Sequence, residues 1–304
     1  MLTALALASA APAAPDKQCQ RELVVLGAGQ DAGAPQIGHT SHTGAPLLPS
    51  ALGLIDRENG QRYLFDATPA ITEQLAMLDR IEPPPANGLG IDGVFLTHAH
   101  IGHYLGLAWF GREAAGADGI PVYAMPRMAA FLRDNGPWSQ LVELGNIAIR
   151  EIPLQDFTVL NGDFGVLPIH APHRDEYSET VGFFIMTSGR TALYLPDLDS
   201  WDAFEDERGQ SLEELVAGFD LLFLDATFWD DGELAGRDMS EIPHPRVAKV
   251  MDRLAGLPAQ DRAKIHFIHI NHTNPIRDPD SAQSREVARR GFKVARRGDR
   301  HCLG

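Results

Sequence analysis

The most informative stretch of this sequence is Val94-Phe-Leu-Thr-His98-Ala-His100-Ile-Gly-His103. It joins an apolar run, typical of a buried strand, to a loop that carries three histidines. A buried neutral imidazole needs hydrogen-bond partners, whereas one divalent metal ion can satisfy several imidazoles at once. The stretch therefore predicts a metal site at the end of a strand, with a purely structural histidine cluster as the alternative.

The composition favours a folded protein that acts on a small molecule. The chain has 304 residues, of which 44% are hydrophobic and 22% are charged, enough for a large core. Its formal net charge of -15 argues against nucleic acid as a partner, because phosphate binding needs a basic face. No apolar run is long enough to span a membrane. The oligomeric state stays open.

The two ends of the chain carry the signals that concern its compartment. Residues Met1 to Ala14 are rich in leucine and alanine and end in small residues, as a secretory signal does, although a positive n-region is absent. Export would make the protein periplasmic or secreted, and an unexported protein with a disordered leader would be cytoplasmic. Cys19 and Cys302 could pair in an oxidising compartment or remain two unrelated thiols.

Hydrophobic periodicity predicts a mixture of strands and helices. Strands are expected at residues 22–26, 52–55, 62–65, 93–96, 121–124, 147–152, 165–169, 181–186, 192–195, 221–224 and 265–268. Helices are expected at residues 70–80, 104–115, 126–133, 212–217, 245–254 and 281–290. The strands first cluster and then alternate with helices, with no internal repeat. We therefore predict an α/β fold, a four-layer αββα sandwich, in a single domain over residues 20–304.

The histidine motif resembles the His-x-His-x-Asp-His signature of the metallo-β-lactamase superfamily. The resemblance implies the αββα fold and a centre for one or two metal ions. Gly102 stands at the position of the signature's aspartate. In the superfamily that aspartate ligates the second metal and helps to orient or deprotonate the attacking water. Its absence implies a weak second site or a substitute ligand.

The same resemblance implies a complete set of ligands. One metal would be held by His98, His100 and His173, and the other by His103, Asp197 and His269. The expected metal is Zn²⁺, with iron or manganese as alternatives.

Four of the residues near these ligands carry more specific hypotheses. Asp197 would bridge the metals and orient the water. Asp199 is either a helix cap or a substitute ligand, and His272 is a rival of His269. His244 resembles the histidine that phosphodiesterase-like members place near the leaving group, with helix capping as its alternative.

Longer strings are similar to the branch of pyrroloquinoline quinone biosynthesis protein B. They lie at residues 24–38, 172–183, 223–231 and 269–275. In the first string, Gly27, Gly29 and Gly33 would let a loop turn tightly beside the site. Because no third glycine has the spacing of a dinucleotide motif, no organic cofactor is expected there.

Together these resemblances imply a metal-dependent hydrolase. Its substrate would be a small ester, lactone, amide or phosphodiester, attacked by a metal-bound hydroxide whose pKa the metal lowers to about 7. One alternative is an iron-dependent oxygenase or oxidation step related to pyrroloquinoline quinone biosynthesis. The other is a relative that binds metal without catalysis.

Overall fold

Two seven-stranded sheets flanked by helices make up the fold. The computed structural model describes residues 19–38, 46–86 and 88–304. The predicted leader, Met1 to Ala14, lies outside the described residues. The mixed sheets and their helices confirm the predicted α/β sandwich.

The first sheet combines an antiparallel and a parallel half. Its strands are β1 (Arg21–Gly27), β2 (Ala51–Asp56), β3 (Gln61–Phe65), β4 (Gly93–Phe95), β5 (Ile120–Ala124), β6 (Ile147–Glu151) and β14 (Arg300–Cys302). Their order is β14-β1-β2-β3-β4-β5-β6. The strands from β14 to β3 pair antiparallel, and those from β3 to β6 pair parallel.

The second sheet has the same mixed character. Its strands are β7 (Thr158–Asn161), β8 (Phe164–His170), β9 (Val181–Met186), β10 (Thr191–Leu195), β11 (Leu221–Asp225), β12 (Ile265–Ile268) and β13 (Lys293–Val294). Their order is β13-β12-β11-β10-β9-β8-β7. The strands from β7 to β10 pair antiparallel, and those from β10 to β13 pair parallel.

The helices are short. They are α1 (Ile71–Ile81), α2 (Ile101–Tyr104), α3 (Pro126–Asp134), α4 (Trp138–Glu143), α5 (Trp201–Arg208), α6 (Leu212–Ala217), α7 (Val247–Arg253), α8 (Ala259–Arg262) and α9 (Ala282–Arg289). Local sequence sets several of their ends. Ser211 and Glu214 form a capping box at the start of α6, and Gly209 ends α5 in the left-handed conformation.

All eleven predicted strands are present, and the three that were not predicted, β7, β13 and β14, lie at sheet edges. The helix predicted over residues 104–115 is wrong, because α2 ends at Tyr104 and a 3-10 turn occupies Leu105–Phe110. Gly106 packs there so tightly that a Cβ atom would lie 2.2 Å from the Thr68 carbonyl oxygen. Helices α2, α4, α5 and α8 were not predicted.

Aromatic side chains from both sheets fill the space between them. Phe65 and Phe95 of the first sheet each lie 5.6 Å, centroid to centroid, from Phe183 of the second. Phe65 also makes an edge contact with Tyr194 at 6.1 Å. Contacts of this kind add about 0.5–1.5 kcal/mol beyond apolar burial. They fix how the two sheets face each other, and so where their strand ends meet.

Strand direction brings the predicted site residues to one edge of the sandwich. In the first sheet β1, β3 and β4 run the same way, and in the second β8, β10, β11 and β12 do so. The loops that leave the carboxyl ends of these strands carry the histidines and acids of the motif. Open α/β sheets place their sites at such ends.

A disulfide between Cys19 and Cys302 ties the start of β1 to β14, with Cα atoms 5.7 Å apart. The two cysteines are therefore paired in the structure and are not two unrelated thiols. Among the helices of the described residues, none has the length and apolar content needed to cross a bilayer.

Cys302→Ser should lower the free energy of unfolding by about 2–5 kcal/mol, because the bond spans 283 residues and restricts the unfolded chain. Chemical unfolding without reductant measures the change. The Cys19→Ser/Cys302→Ser double variant should match the single variant. Equal stability of the wild type with and without dithiothreitol would contradict the pairing.

Candidate metal centre

The carboxylate of Asp197, just after β10, lies at the centre of a group of histidines. From its Oδ2 atom the distances to histidine Nε2 atoms are 3.3 Å (His173), 3.4 Å (His98), 3.6 Å (His269) and 3.9 Å (His103). All five side chains are buried. The loops after β4, β8, β10 and β12 thus bring one carboxylate and four imidazoles together.

The first group with metal-ligand geometry consists of His98, His100, His173 and Asp197. One ligand atom from each lies within 4.8 Å of the others. His100 contributes through Nδ1, which is 3.1 Å from Nε2 of His173. These are the three histidines that the sequence assigned to one metal, together with the acid expected to bridge to the other.

Hydrogen bonds on the outer ring nitrogens orient these histidines. Nδ1 of His98 is 2.9 Å from the Thr97 hydroxyl, and Nδ1 of His173 is 2.7 Å from Oδ1 of Asp199. When the outer nitrogen of an imidazole is held in this way, its tautomer and direction as a ligand are fixed. Asp199 therefore faces the outer side of His173.

A second group consists of Asp31, His103 and His269, again with ligand atoms within 4.8 Å of one another. Nδ1 of His103 is 2.8 Å from Oδ2 of Asp66, and Nδ1 of His269 is 3.0 Å from the Thr227 hydroxyl. Both histidines thus present Nε2 towards Asp197. The pair matches the sequence prediction, and Asp31 is an addition to it.

The inward-facing atoms fit a bound cation. Nε2 of His98, His103 and His269 and Oδ1 of Asp197 are buried and have no hydrogen-bond partner among the described residues. An unsatisfied buried polar atom costs about 1–3 kcal/mol, so several in one cluster call for a common partner. Imidazole nitrogens and carboxylate oxygens are ligands that Zn²⁺ prefers. The residues present therefore fit a zinc-type centre.

Burial and charge set the protonation of the centre. Burial holds the pKa of His98 well below 6.5 and lowers the pKa of His269. Burial also opposes the charge on His103, but the Asp66 carboxylate outweighs it and raises the pKa to about 9. Two of the imidazoles are therefore neutral with a free lone pair, and His103 would release a proton when it binds metal.

Asp66 is the acid that orients His103, and sequence reasoning missed it. Its carboxylate accepts hydrogen bonds from the backbone N–H and the hydroxyl of Thr97, both 2.9 Å long, and from the Tyr194 hydroxyl at 3.1 Å. Asp66 follows β3, so this one side chain links the ends of β3, β4 and β10. A buried acid just after a strand was the available sequence signal.

His244 lies between the centre and a cleft. Its Nδ1 is 2.8 Å from Oδ2 of Asp225 and 3.3 Å from Oδ1 of Asp197. Burial opposes the charge, but Asp225 outweighs it and raises the pKa of His244 to about 9. His244 also lines a cleft of about 770 Å³ with Trp201. Because α7 begins at Val247, after Arg246 as its N-cap, His244 does not cap that helix.

The backbone is strained around the centre. In the described part of the chain five non-glycine residues have positive φ: Asp31 (43°), Asp66 (67°), Gln155 (61°), His244 (82°) and His269 (62°). Asp31 and His269 belong to the second group, Asp66 is hydrogen-bonded to His103, and His244 contacts Asp197. Left-handed conformations of such residues cost about 1–3 kcal/mol each and cluster at functional sites.

The two predicted substitute ligands lie elsewhere. Among the described residues, neither Asp199 nor His272 belongs to a group with metal-ligand geometry. Asp199 is hydrogen-bonded to His173, and the N-cap of the following helix is Ser200 rather than Asp199. His272 is half-buried three residues beyond His269. The geometry of the described residues therefore gives no support to either residue as a substitute ligand.

Comparison with known proteins agrees with this geometry. Residues 61–270, more than half of the chain, match the family model described as the Beta-lactamase superfamily domain. The chain belongs to this superfamily. The resemblance inferred from the histidine motif is thereby confirmed.

Within the superfamily the chain is similar to coenzyme PQQ (pyrroloquinoline quinone) synthesis protein B, or PqqB. Coenzyme PQQ synthesis protein B of Pseudomonas fluorescens (strain SBW25) is 29% identical over 260 residues, or 76% of this chain and 80% of the relative. Zinc-bound PqqB from Methylobacterium extorquens has a TM-score of 0.74 and 22% identity, covering 93% of this chain and 100% of that one. A diphosphatase from the PhnP family has a TM-score of 0.63 and 22% identity, covering 93% and 98%.

Asp66→Asn should weaken metal binding at His103 about 10–100-fold, because the variant removes the carboxylate charge that orients the His103 ring. Competition with a chromogenic chelator measures the affinity. Tyr194→Phe is the matched control, since it removes one hydrogen bond to Asp66 and leaves the carboxylate. Unchanged affinity in folded Asp66→Asn protein would refute the orienting role.

Proposed function

We propose that the protein is a metal-dependent hydrolase that acts on a small ester, lactone, amide or phosphodiester. The observation that carries the proposal is the set of buried, unpartnered Nε2 atoms of His98, His103 and His269 around Asp197. A cation there would complete an otherwise unfavourable cluster. The negative net charge of -15 supports a small substrate rather than a polyanion.

The proposed ligands are those that face inward. His98, His100 and His173 would hold one ion, His103 and His269 would hold a second, and Asp197 lies between them. When bound, zinc would polarise the scissile group and lower the pKa of water at the site. The membership of the superfamily and the zinc in the PqqB neighbour support this choice of metal.

Asp197 and His244 would each have a separate role in the reaction. Oδ2 of Asp197 lies among the histidine nitrogens, while its Oδ1 is turned towards His244. Since Nδ1 of His244 is held by Asp225, its Nε2 is the nitrogen left to meet a substrate in the cleft. We infer that Asp197 orients the attacking water and that His244 gives a proton to the leaving group.

An oxidation step that uses iron is the second candidate. Its support is the similarity to relatives named coenzyme PQQ synthesis protein B, together with a histidine and carboxylate set that also suits iron. Zinc with turnover of hydrolysable substrates favours the first function, and iron with oxygen uptake favours the second. Tight metal without either activity would indicate a binding protein.

His173→Ala should lower both metal content and kcat/KM, the latter at least about 100-fold, because a direct ligand is lost. Metal analysis of purified protein and a panel of aryl esters, lactones and phosphodiesters, before and after chelation, measure both quantities. His170→Ala is the matched control, since His170 is hydrogen-bonded to Glu207 and, among the described residues, belongs to no group with metal-ligand geometry. Hydrolysis that survives full metal removal would refute the proposed function.

His244→Ala should lower kcat about 10²–10⁴-fold for substrates with poor alkoxide leaving groups and much less for nitrophenolate esters. The difference arises because nitrophenolate leaves without a proton. The slope of log kcat against leaving-group pKa therefore becomes steeper in the variant. An equal loss across both kinds of leaving group would assign His244 a structural role instead.

A further inference from the structure

Gly102 is a position where the structure excludes any side chain. A Cβ atom built there would lie 2.5 Å from Cα and 2.8 Å from the carbonyl oxygen of Asp31. Both neighbours are backbone atoms, so the clash could be relieved only by moving the loop that contains Asp31 away from α2. The backbone of Asp31 therefore occupies the space that the side chain of an acid at position 102 would need.

The carboxylate of Asp31 lies where a ligand of the second ion is needed. One of its oxygens is within 4.8 Å of ligand nitrogens of His103 and His269. These histidines are only 1% and 0% exposed, and in the part of the chain that the structure describes the Nε2 atom of each has no hydrogen-bond partner. Two buried, unpartnered nitrogens and one carboxylate thus face a common point.

The loop that carries Asp31 is fastened to the loop that carries His269. The N–H of Gln30 donates to the Ile270 carbonyl at 2.9 Å, and the N–H of Ile270 donates to the Ala28 carbonyl at 2.8 Å. Gly29 forms bridges to Ile270 on one side and to Pro49 on the other. The backbone on both sides of the site is therefore joined next to the proposed ligands.

Glycines make this close approach feasible. A Cβ atom at Gly27 would lie 2.0 Å from the Pro49 carbonyl oxygen, and one at Gly33 would lie 2.0 Å from that of Leu47. Gly33 has φ of +72°, and its N–H closes a turn onto the Gln30 carbonyl at 2.7 Å. The loop is thus shaped to hold Asp31 in its strained conformation against α2.

We propose that Asp31 ligates the second metal ion with His103 and His269, in place of the acid that the motif lacks at Gly102. The inference rests on the proposed metal centre and adds to it the identity of a ligand. Asp197 would supply the carboxylate between this ion and the one that His98, His100 and His173 would hold. A carboxylate from the loop after β1 thus completes a site whose other ligands follow β4, β10 and β12.

The test uses Asp31→Asn in the full chain. Asparagine tolerates the left-handed conformation as aspartate does, so the variant changes the ligand without adding backbone strain. Asp118→Asn is the matched control, because Asp118 is exposed in the loop before β5, at the opposite edge of the sheet. Each protein is loaded with Zn²⁺, dialysed, and analysed for zinc content and for the shift of Tm caused by zinc.

We expect wild type and Asp118→Asn to bind two zinc ions, and Asp31→Asn to retain one with a smaller zinc-dependent rise in Tm. Affinity for the second ion should fall at least about tenfold. If Asp31→Asn keeps two ions with wild-type affinity, or if the wild type binds only one, the assignment of Asp31 is overturned and the hydrolase proposal stands. A wild type that binds no zinc, iron or manganese overturns both.

Gly102→Ala tests the steric half of the inference. A methyl group at this position should displace the Asp31 loop and lower the content of the second ion without changing any charge. Gly256→Ala is the control, because Gly256 is exposed in a helical turn without positive φ, as Gly102 is helical, and a Cβ atom there meets nothing within 4 Å, so it reports the replacement without the clash. Full occupancy of both ions in folded Gly102→Ala protein would overturn the proposed coupling.

Discussion

The structure depends on a buried carboxylate surrounded by imidazoles, three of which present Nε2 atoms without a hydrogen-bond partner among the described residues. Asp197 has Nε2 atoms of four histidines within 3.9 Å of Oδ2, in a region from which solvent is excluded. The surrounding imidazoles outweigh burial and hold the pKa of Asp197 well below 3.8. Apolar packing alone would not maintain such a cluster. The fold therefore has to hold these groups together until a cation binds them.

Two features of the scaffold supply that restraint. Strands from both sheets end at one edge, so the ligands stand on loops anchored by a packed aromatic core around Phe183 and Tyr194. Acids then fix the outer nitrogens of the rings, as Asp66 does for His103 and Asp225 does for His244. Because Tyr194 reaches Asp66 from the opposite sheet, the packing of the core and the orientation of a ligand are directly connected.

Much of this arrangement was predictable from the sequence, because local signals determine it. Alternating apolar runs located the central strands, and five histidines and one aspartate near strand ends were predicted as ligands, whose roles remain proposals. The edge strands β7, β13 and β14 were missed because short or half-exposed strands carry little periodicity. Asp31 and Asp66 were missed because their significance depends on contacts with residues far away in the chain, such as His103 for Asp66, 37 positions on, and Gly102 for Asp31, 71 positions on.

The proposed role of Asp31, which supplies the carboxylate that the motif lacks at Gly102, shows why an incomplete motif need not indicate a defective site. A metal ion responds to the position of a carboxylate oxygen, and a neighbouring loop can supply that oxygen as well as the motif can. This role has a structural consequence, since the ligand now comes from the loop after β1, which is fastened to the loop after β12. Binding of the second ion would then join segments from both ends of the chain, so metal binding should stabilise the closure of the sandwich itself.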